Sequence, residues 1–171
     1  TSVFFNARIQ PSGTFTLNLN GNAGDAVDFA NERLGSELRI SPNLGLRVGR
    51  NIDLNIQQSY QHMRYEGRNV FTAHLTQLRG VYNFSPRSFV RAIVQFRQTD
   101  RNPDMYTADV DQRNRAVFTQ FLYAYKVNPQ TVLFAGYTDD RNALTDIQGR
   151  HTDLTQKGRA FFLKLGYAWR P

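Results

Sequence analysis

An all-β fold, an eight-stranded antiparallel transmembrane β-barrel of the outer-membrane type, is what three features of this sequence predict. Apolar and polar residues alternate with period two from end to end, and helical periodicity is almost absent. Many of the alternating runs exceed the roughly 5–6 residues of an ordinary strand and suit a tilted bilayer crossing. Short turns and long polar connections take turns along the chain, so tight turns gather at one end of the sheet and loops at the other.

The elements follow in order. Residues 3–9 read as strand and pass through Pro11-Ser12-Gly13 into Phe15, Leu17 and Leu19, which alternate with Thr16, Asn18 and Asn20. Residues 1–13 are therefore an N-terminal extension or an extra strand, and the eight strands are counted from Thr14 to Trp169. A long polar connection is expected over 21–33. Leu38, Ile40, Pro42, Leu44, Leu46 and Val48 then alternate with Glu37, Arg39, Ser41, Asn43, Gly45 and Arg47. Gly49-Arg50-Asn51 is a turn signal. Ile52, Leu54, Ile56 and Tyr60 face away from Asp53, Asn55, Gln57, Ser59 and Gln61. Beyond the turn at 66–69, residues 70–84 end in Leu78, Gly80, Tyr82 and Phe84 against Gln77, Arg79 and Asn83. Ser85-Pro86-Arg87-Ser88 turns the chain into Val90, Ala92, Val94 and Phe96 against Arg91, Gln95 and Arg97. After a second long connection at 98–114, Val117, Phe121, Tyr123, Tyr125 and Val127 oppose Gln120, Ala124 and Lys126. Asn128-Pro129-Gln130 turns into 131–138, whose faces are less distinct, and a third long connection covers 139–158. The last strand sets Phe161, Leu163, Leu165, Tyr167 and Trp169 against Ala160, Phe162, Lys164, Gly166 and Ala168. A lysine turned to lipid at mid-membrane costs roughly 2–4 kcal/mol, so parity sends Lys164 inward.

Composition agrees with that reading. The 171 residues form one domain, 1–171, with 40% apolar residues yet 13 Phe and 8 Tyr. Mean hydropathy is negative. No run approaches the roughly 20 apolar residues of a membrane helix. Opening at Thr1 without a leader pattern reads as a mature chain or a fragment. Cys is absent, which removes disulfides and thiolate metal sites. The net charge of +7 calls for an anionic partner. Basic residues are spread along strand faces and loops without a recognition module, which argues against nucleic acid. The bilayer and lipopolysaccharide phosphates are the expected partners, through Arg101, Arg113, Arg115, Arg141 and Arg150.

Parity defines two sets of residues. A barrel-interior polar cluster comprises Glu37, Arg39, Arg47, Asp53, Gln77, Arg79, Arg91, Gln95, Arg97, Gln120, Lys126 and Lys164, joined by Asn18, Asn20, Asn55 and Gln57. Seven members are basic and two acidic, and in a small barrel such side chains fill the interior. Tyr82, Phe84, Phe89, Tyr125, Tyr167 and Trp169 lie near short turns or the C-terminus and form the expected aromatic girdle. A terminal strand that ends in an aromatic also resembles the signal read by the bacterial barrel-assembly machinery, although Arg170 and Pro171 follow Trp169.

Four stretches, VDFANERLGSELRISP (27–42), YNFSPRSFVRAIVQF (82–96), YKVNPQTVLFAGYTDD (125–140) and GRAFFLKLGYAWRP (158–171), resemble a family of large bacterial outer-membrane proteins. Its members join an N-terminal carbohydrate-binding-like module to an uncharacterised C-terminal β-barrel domain. The resemblance implies location and architecture and supplies no catalytic residues. The carbohydrate-binding module has no counterpart in this chain.

Signals for chemistry are sparse. His62, His74 and His151 show no metal-ligand spacing. Asp109-Val110-Asp111 and Thr138-Asp139-Asp140 follow no calcium-loop spacing and read as solvated acidic loops. No cofactor is expected. The sequence thus points to a non-enzymatic barrel of a Gram-negative outer membrane, structural or membrane-anchoring, without an open pore. A porin-like channel with a cationic lumen and a soluble ligand-binding β-barrel are the alternatives; a rim hydrolase would require geometry that no local motif announces. Oligomeric state is not legible.

Overall fold

The computed structural model describes residues 1–146 and 148–168. They form one antiparallel sheet of nine strands in sequence order, each paired with its neighbours in the chain. The strands are β1 (Ser2–Ser12), β2 (Phe15–Asp28), β3 (Arg33–Val48), β4 (Ile52–Tyr65), β5 (Arg68–Ser85), β6 (Ser88–Arg101), β7 (Arg113–Asn128), β8 (Thr131–Thr145) and β9 (Thr155–Tyr167). A 3-10 turn, Pro103–Met105, interrupts the β6–β7 connection; Asn102 caps it by accepting the Asp104 N–H.

Two expectations about the sheet are corrected. The strands number nine, because residues 2–12 pair with β2 from Ser2↔Gly24 to Ser12↔Phe15. The sheet is also open: among the described residues β1 pairs only with β2, and β9 only with β8. With nine up-and-down strands, β1 and β9 run in the same direction, so pairing them would create a parallel seam in an otherwise antiparallel sheet.

Connections are tight at one end, where β1–β2, β3–β4, β5–β6 and β7–β8 join. At the other end, 21–33 is not a long loop. Gly21, Asn22, Gly24 and Asp25 look like turn formers, yet β2 runs through them because β1 and β3 both pair with it there. The actual turn is confined to residues 29–32, with Glu32 at φ 51. The β4–β5 hairpin uses Glu66 and Gly67, both at positive φ (49 and 75). That is the backbone a two-residue hairpin matched to strand twist requires, and Gly67 adopts it without strain. Strands β6 and β8 extend to Arg101 and Thr145, which leaves 102–112 and 146–154 as the long connections.

Cross-strand register fixes which side chains share a face. Leu46, Leu54, Gly80, Ala92, Phe121, Tyr137 and Phe161 follow one another across seven strands. Around them Leu78, Val94, Tyr123, Leu163 and Leu165 are exposed, up to 75% for Leu163. The sheet thus has one broad apolar face open to its surroundings. A water-soluble sheet would bury such a face. Little is buried elsewhere. One hydrophobic cluster, Met63, Val70 and Met105 with Ala26, Tyr65, Phe71 and Tyr106, sits on the opposite face at the long-loop end.

Candidate functional site

The opposite face is polar and positions the candidate site. By register, all of Glu37, Arg39, Arg47, Asp53, Gln77, Arg79, Arg91, Gln95, Arg97, Gln120, Lys126 and Lys164 lie on it. Asn18, Asn20, Asn55 and Gln57 share it. Period-two alternation in paired strands is sufficient to bring these distant residues together.

Neighbouring strands join them in short networks. Glu37 receives Arg39 Nη2 at 3.0 Å and Gln61 Nε2 at 2.9 Å. Arg47 Nε donates to Asp53 Oδ1 at 3.0 Å. Asn43 and Asn55 donate to each other's side-chain oxygens at 3.3 and 3.1 Å, and Arg91 Nη2 donates to Gln120 Oε1 at 3.2 Å. Near the tight turns a concavity of about 460 Å³ opens between Thr16, Asp53, Asn55, Arg79 and Asn83. Among the described residues no carboxylate forms an ion pair with Arg79, Arg97, Lys126 or Lys164, and basic side chains outnumber acidic ones on this face.

At the long-loop end the β6–β7 connection folds back across this polar face. Arg33 holds it: its Nη2 donates to the Met105 carbonyl at 2.7 Å, its Nε pairs with Asp28 at 3.0 Å, and its guanidinium lies 4.2 Å from the Tyr65 ring centroid. Asn102 N–H donates to the Val70 carbonyl at 2.9 Å, and Thr107 N–H to Asn31 Oδ1 at 3.3 Å. Met105, 8% exposed, completes the hydrophobic cluster. Burial of the Tyr106 hydroxyl raises its pKa. The sequence signal for this contact was thin: Met63 and Phe71 are only two of several apolar residues, Phe118, Leu122 and Phe162 among them, on the mainly polar face.

Other expected residues fall differently. Tyr82, Tyr125 and Tyr167 share the apolar face near the tight turns, and Phe84 packs edge-on against Tyr82 with centroids 4.8 Å apart. Phe89 does not belong with them; it pairs with Asn83 on the polar face, so closeness to a turn was a poor guide to its side. Trp169, Arg170 and Pro171 lie outside the described residues. Asp139 and Asp140 are not in a solvated loop. They occupy β8 on opposite faces, and Asp139 is 6% exposed, bound by Arg141, Arg159 and Tyr137.

The histidines sit toward the long-loop end, beside arginines or aromatics. Arg64 Nε donates to His62 Nε2 at 2.8 Å, and Arg115 Nη2 approaches His151 Nε2 at 3.0 Å. His74 lies 5.0 Å from Tyr60, ring centre to ring centre. Among the described residues, no group of three or more His, Cys, Asp or Glu side chains converges as a metal site would need. In the connection after β8, hydrogen bonds from Arg150 hold the Asp146 carboxyl below its ordinary pKa.

No family model matches the sequence, and no curated protein does. A solved structure of OmpT (in-vitro folded), an outer membrane protein of Vibrio cholerae, is similar with a TM-score of 0.61 at 10% identity. The match covers 98% of this chain and 55% of that one, so the chain spans about half the length of OmpT. At that identity the likeness speaks for the fold alone: the antiparallel sheet resembles part of that outer membrane protein. It also overturns one expectation. Scaffolds of this type carry hydrolases at the rim as well as pores, so a match to one removes the ground for excluding an enzyme.

Proposed function

We propose that the nine strands form part of the wall of a bacterial outer-membrane β-barrel whose polar face lines a water-filled, cationic lumen that favours anions. The observation that carries this reading is the segregation of side chains by register: an exposed apolar face on one side, and a polar face with surplus arginine and lysine on the other. Such a sheet belongs in a bilayer only when closed, since an unpaired edge in hydrocarbon leaves backbone groups without partners. Nine strands matching about half of a larger outer-membrane protein suit a barrel of roughly 16–18 strands, the size that leaves an aqueous channel. The β6–β7 connection, lying across the polar face, would narrow such a lumen at its long-loop end. A structural or anchoring barrel with a filled interior is the competing reading.

Planar-bilayer recording separates the two. The protein purified from outer membranes, in its heat-modifiable folded form, should give stable conductance steps. Under a salt gradient their reversal potential should lie on the anion side. The double variant R91E/R97E should move it toward cations. Folded protein that inserts yet never conducts would leave the anchoring role and remove the pore.

A further inference from the structure

On the apolar face the character of the side chains changes abruptly, and the change lines up across three strands. Within β7–β9, Phe121, Tyr137 and Phe161 form the last aromatic row, with the Tyr137 and Phe161 rings 4.7 Å apart. The next row toward the long loops is Thr119, Asp139 and Arg159. Beyond it come Val117 beside Arg141, then Arg115 beside Ala143. Asp139 gathers this region. Its carboxylate receives Arg141 Nε at 2.7 Å, Arg159 Nε and Nη2 at 3.1 Å, and the Tyr137 hydroxyl at 3.0 Å. The Asp139 side chain is covered, whereas the Arg141 and Arg159 side chains remain 48% and 45% exposed. Arg115, against His151, extends the cationic surface toward the long loops.

We propose that Arg141, Arg159 and Arg115 form a docking site for the phosphates of an anionic lipid headgroup. Their place argues for a lipid and not a soluble anion. They stand on the hydrocarbon-facing side of the sheet, one to three rows beyond the aromatic row, where headgroups begin. Asp139 serves as a template that fixes two guanidinium groups while cancelling one charge, which leaves a preorganised surface for multidentate phosphate binding. Arg101 and Arg150 are not part of it. Arg101 faces the other side of the sheet, and Arg150 turns back onto Asp146. The inference rests on the membrane orientation of the apolar face and is independent of any pore.

The test uses detergent-folded protein titrated with the diphosphorylated lipid portion of lipopolysaccharide, with phosphatidylcholine and inorganic phosphate as separate probes. Binding is read by native mass spectrometry. The variant D139N/R141Q/R159Q removes both guanidinium groups without stranding the carboxylate, and R115Q perturbs the site without touching Asp139. Lipid binding should weaken about thirtyfold in the triple variant, the combined effect of two basic side chains at an anionic surface. R115Q should weaken it by about fivefold on the same scale, and R101Q should leave it unchanged. Heat-modifiable migration confirms that each variant is folded. Unchanged affinity in a folded triple variant overturns the proposal. So does an equal loss in R101Q, or inorganic phosphate that competes at concentrations comparable to the lipid. Loss of heat-modifiability in the wild type would instead strike at the membrane reading beneath it.

Discussion

The ring of Phe162 in β9 lies directly over Gly136 in β8, its cross-strand partner; a Cβ at residue 136 would fall within the ring. At the opposite edge Phe5 of β1 covers Gly21 of β2 in the same manner. Each outermost strand is therefore fastened by an aromatic side chain laid on a bare stretch of its neighbour's backbone, an arrangement that offsets the weak packing of glycine in a strand.

Filling that space should loosen the edge. In Gly136→Val the isopropyl group displaces the Phe162 ring, at a cost of roughly 1–3 kcal/mol for overpacking. Urea unfolding of protein folded into lipid vesicles should show a lower midpoint for this variant. Val132→Ala, in the same strand and on the same face, should have a smaller effect. Equal midpoints for Gly136→Val and the wild type would show that the ring and the glycine do not hold β9.

The separation of faces gives a second prediction. Leu78 is 45% exposed on the apolar face, and Gln77 lies next to it on the polar one. Leu78→Arg should destabilise the vesicle-folded protein by about 2–4 kcal/mol, the cost of a cation at the lipid midplane. Gln77→Arg changes charge among groups that already include Arg79 and should cost under about 1 kcal/mol. The same urea titration reads both. If Gln77→Arg proved the more damaging, the faces would be inverted and the lumen reading would fail with them.

Much of this was legible from alternation alone. Period-two patterning assigns Gln77, Arg91 and Lys164 to one side without knowledge of any partner strand, and the register agrees. Patterning failed where a local signal conflicted with pairing. The glycines and asparagines of 21–25 resemble turn formers, and only the strands on either side hold them extended. Phe89 was misplaced because its closeness to a turn was weighed above its parity with Arg91, with which it shares the polar face. The gathering of Arg141 and Arg159 around Asp139 was invisible, since Arg159 lies 20 residues away along the chain and the sequence shows no sign of their cross-strand approach. Closure was unreadable for a different reason: alternation is the same in a curved open sheet and in a barrel.

The β6–β7 connection yields the last prediction. Its position over the polar face depends on two anchors of different kinds: the buried Met105 side chain, and the Arg33 guanidinium shared between Asp28 and the Met105 carbonyl. Met105→Ala removes apolar contacts and leaves a cavity, with losses reaching about 2 kcal/mol or more when the site cannot collapse. Arg33→Ala leaves Asp28, 4% exposed, without its charged partner, which costs more than the ion pair itself contributes. Both changes act at the loop end and leave the strand ladders intact. The folded, heat-modifiable band should therefore persist while the connection is released. Limited trypsin digestion should then cut after Arg101 or Arg113 faster than in the wild type, and Arg33→Ala should show the larger increase. If the connection narrows a lumen, single-channel conductance should rise in the same order. Unchanged cleavage in both variants would mean that the hydrogen bonds from Asn102 and Thr107 suffice to hold the connection in place.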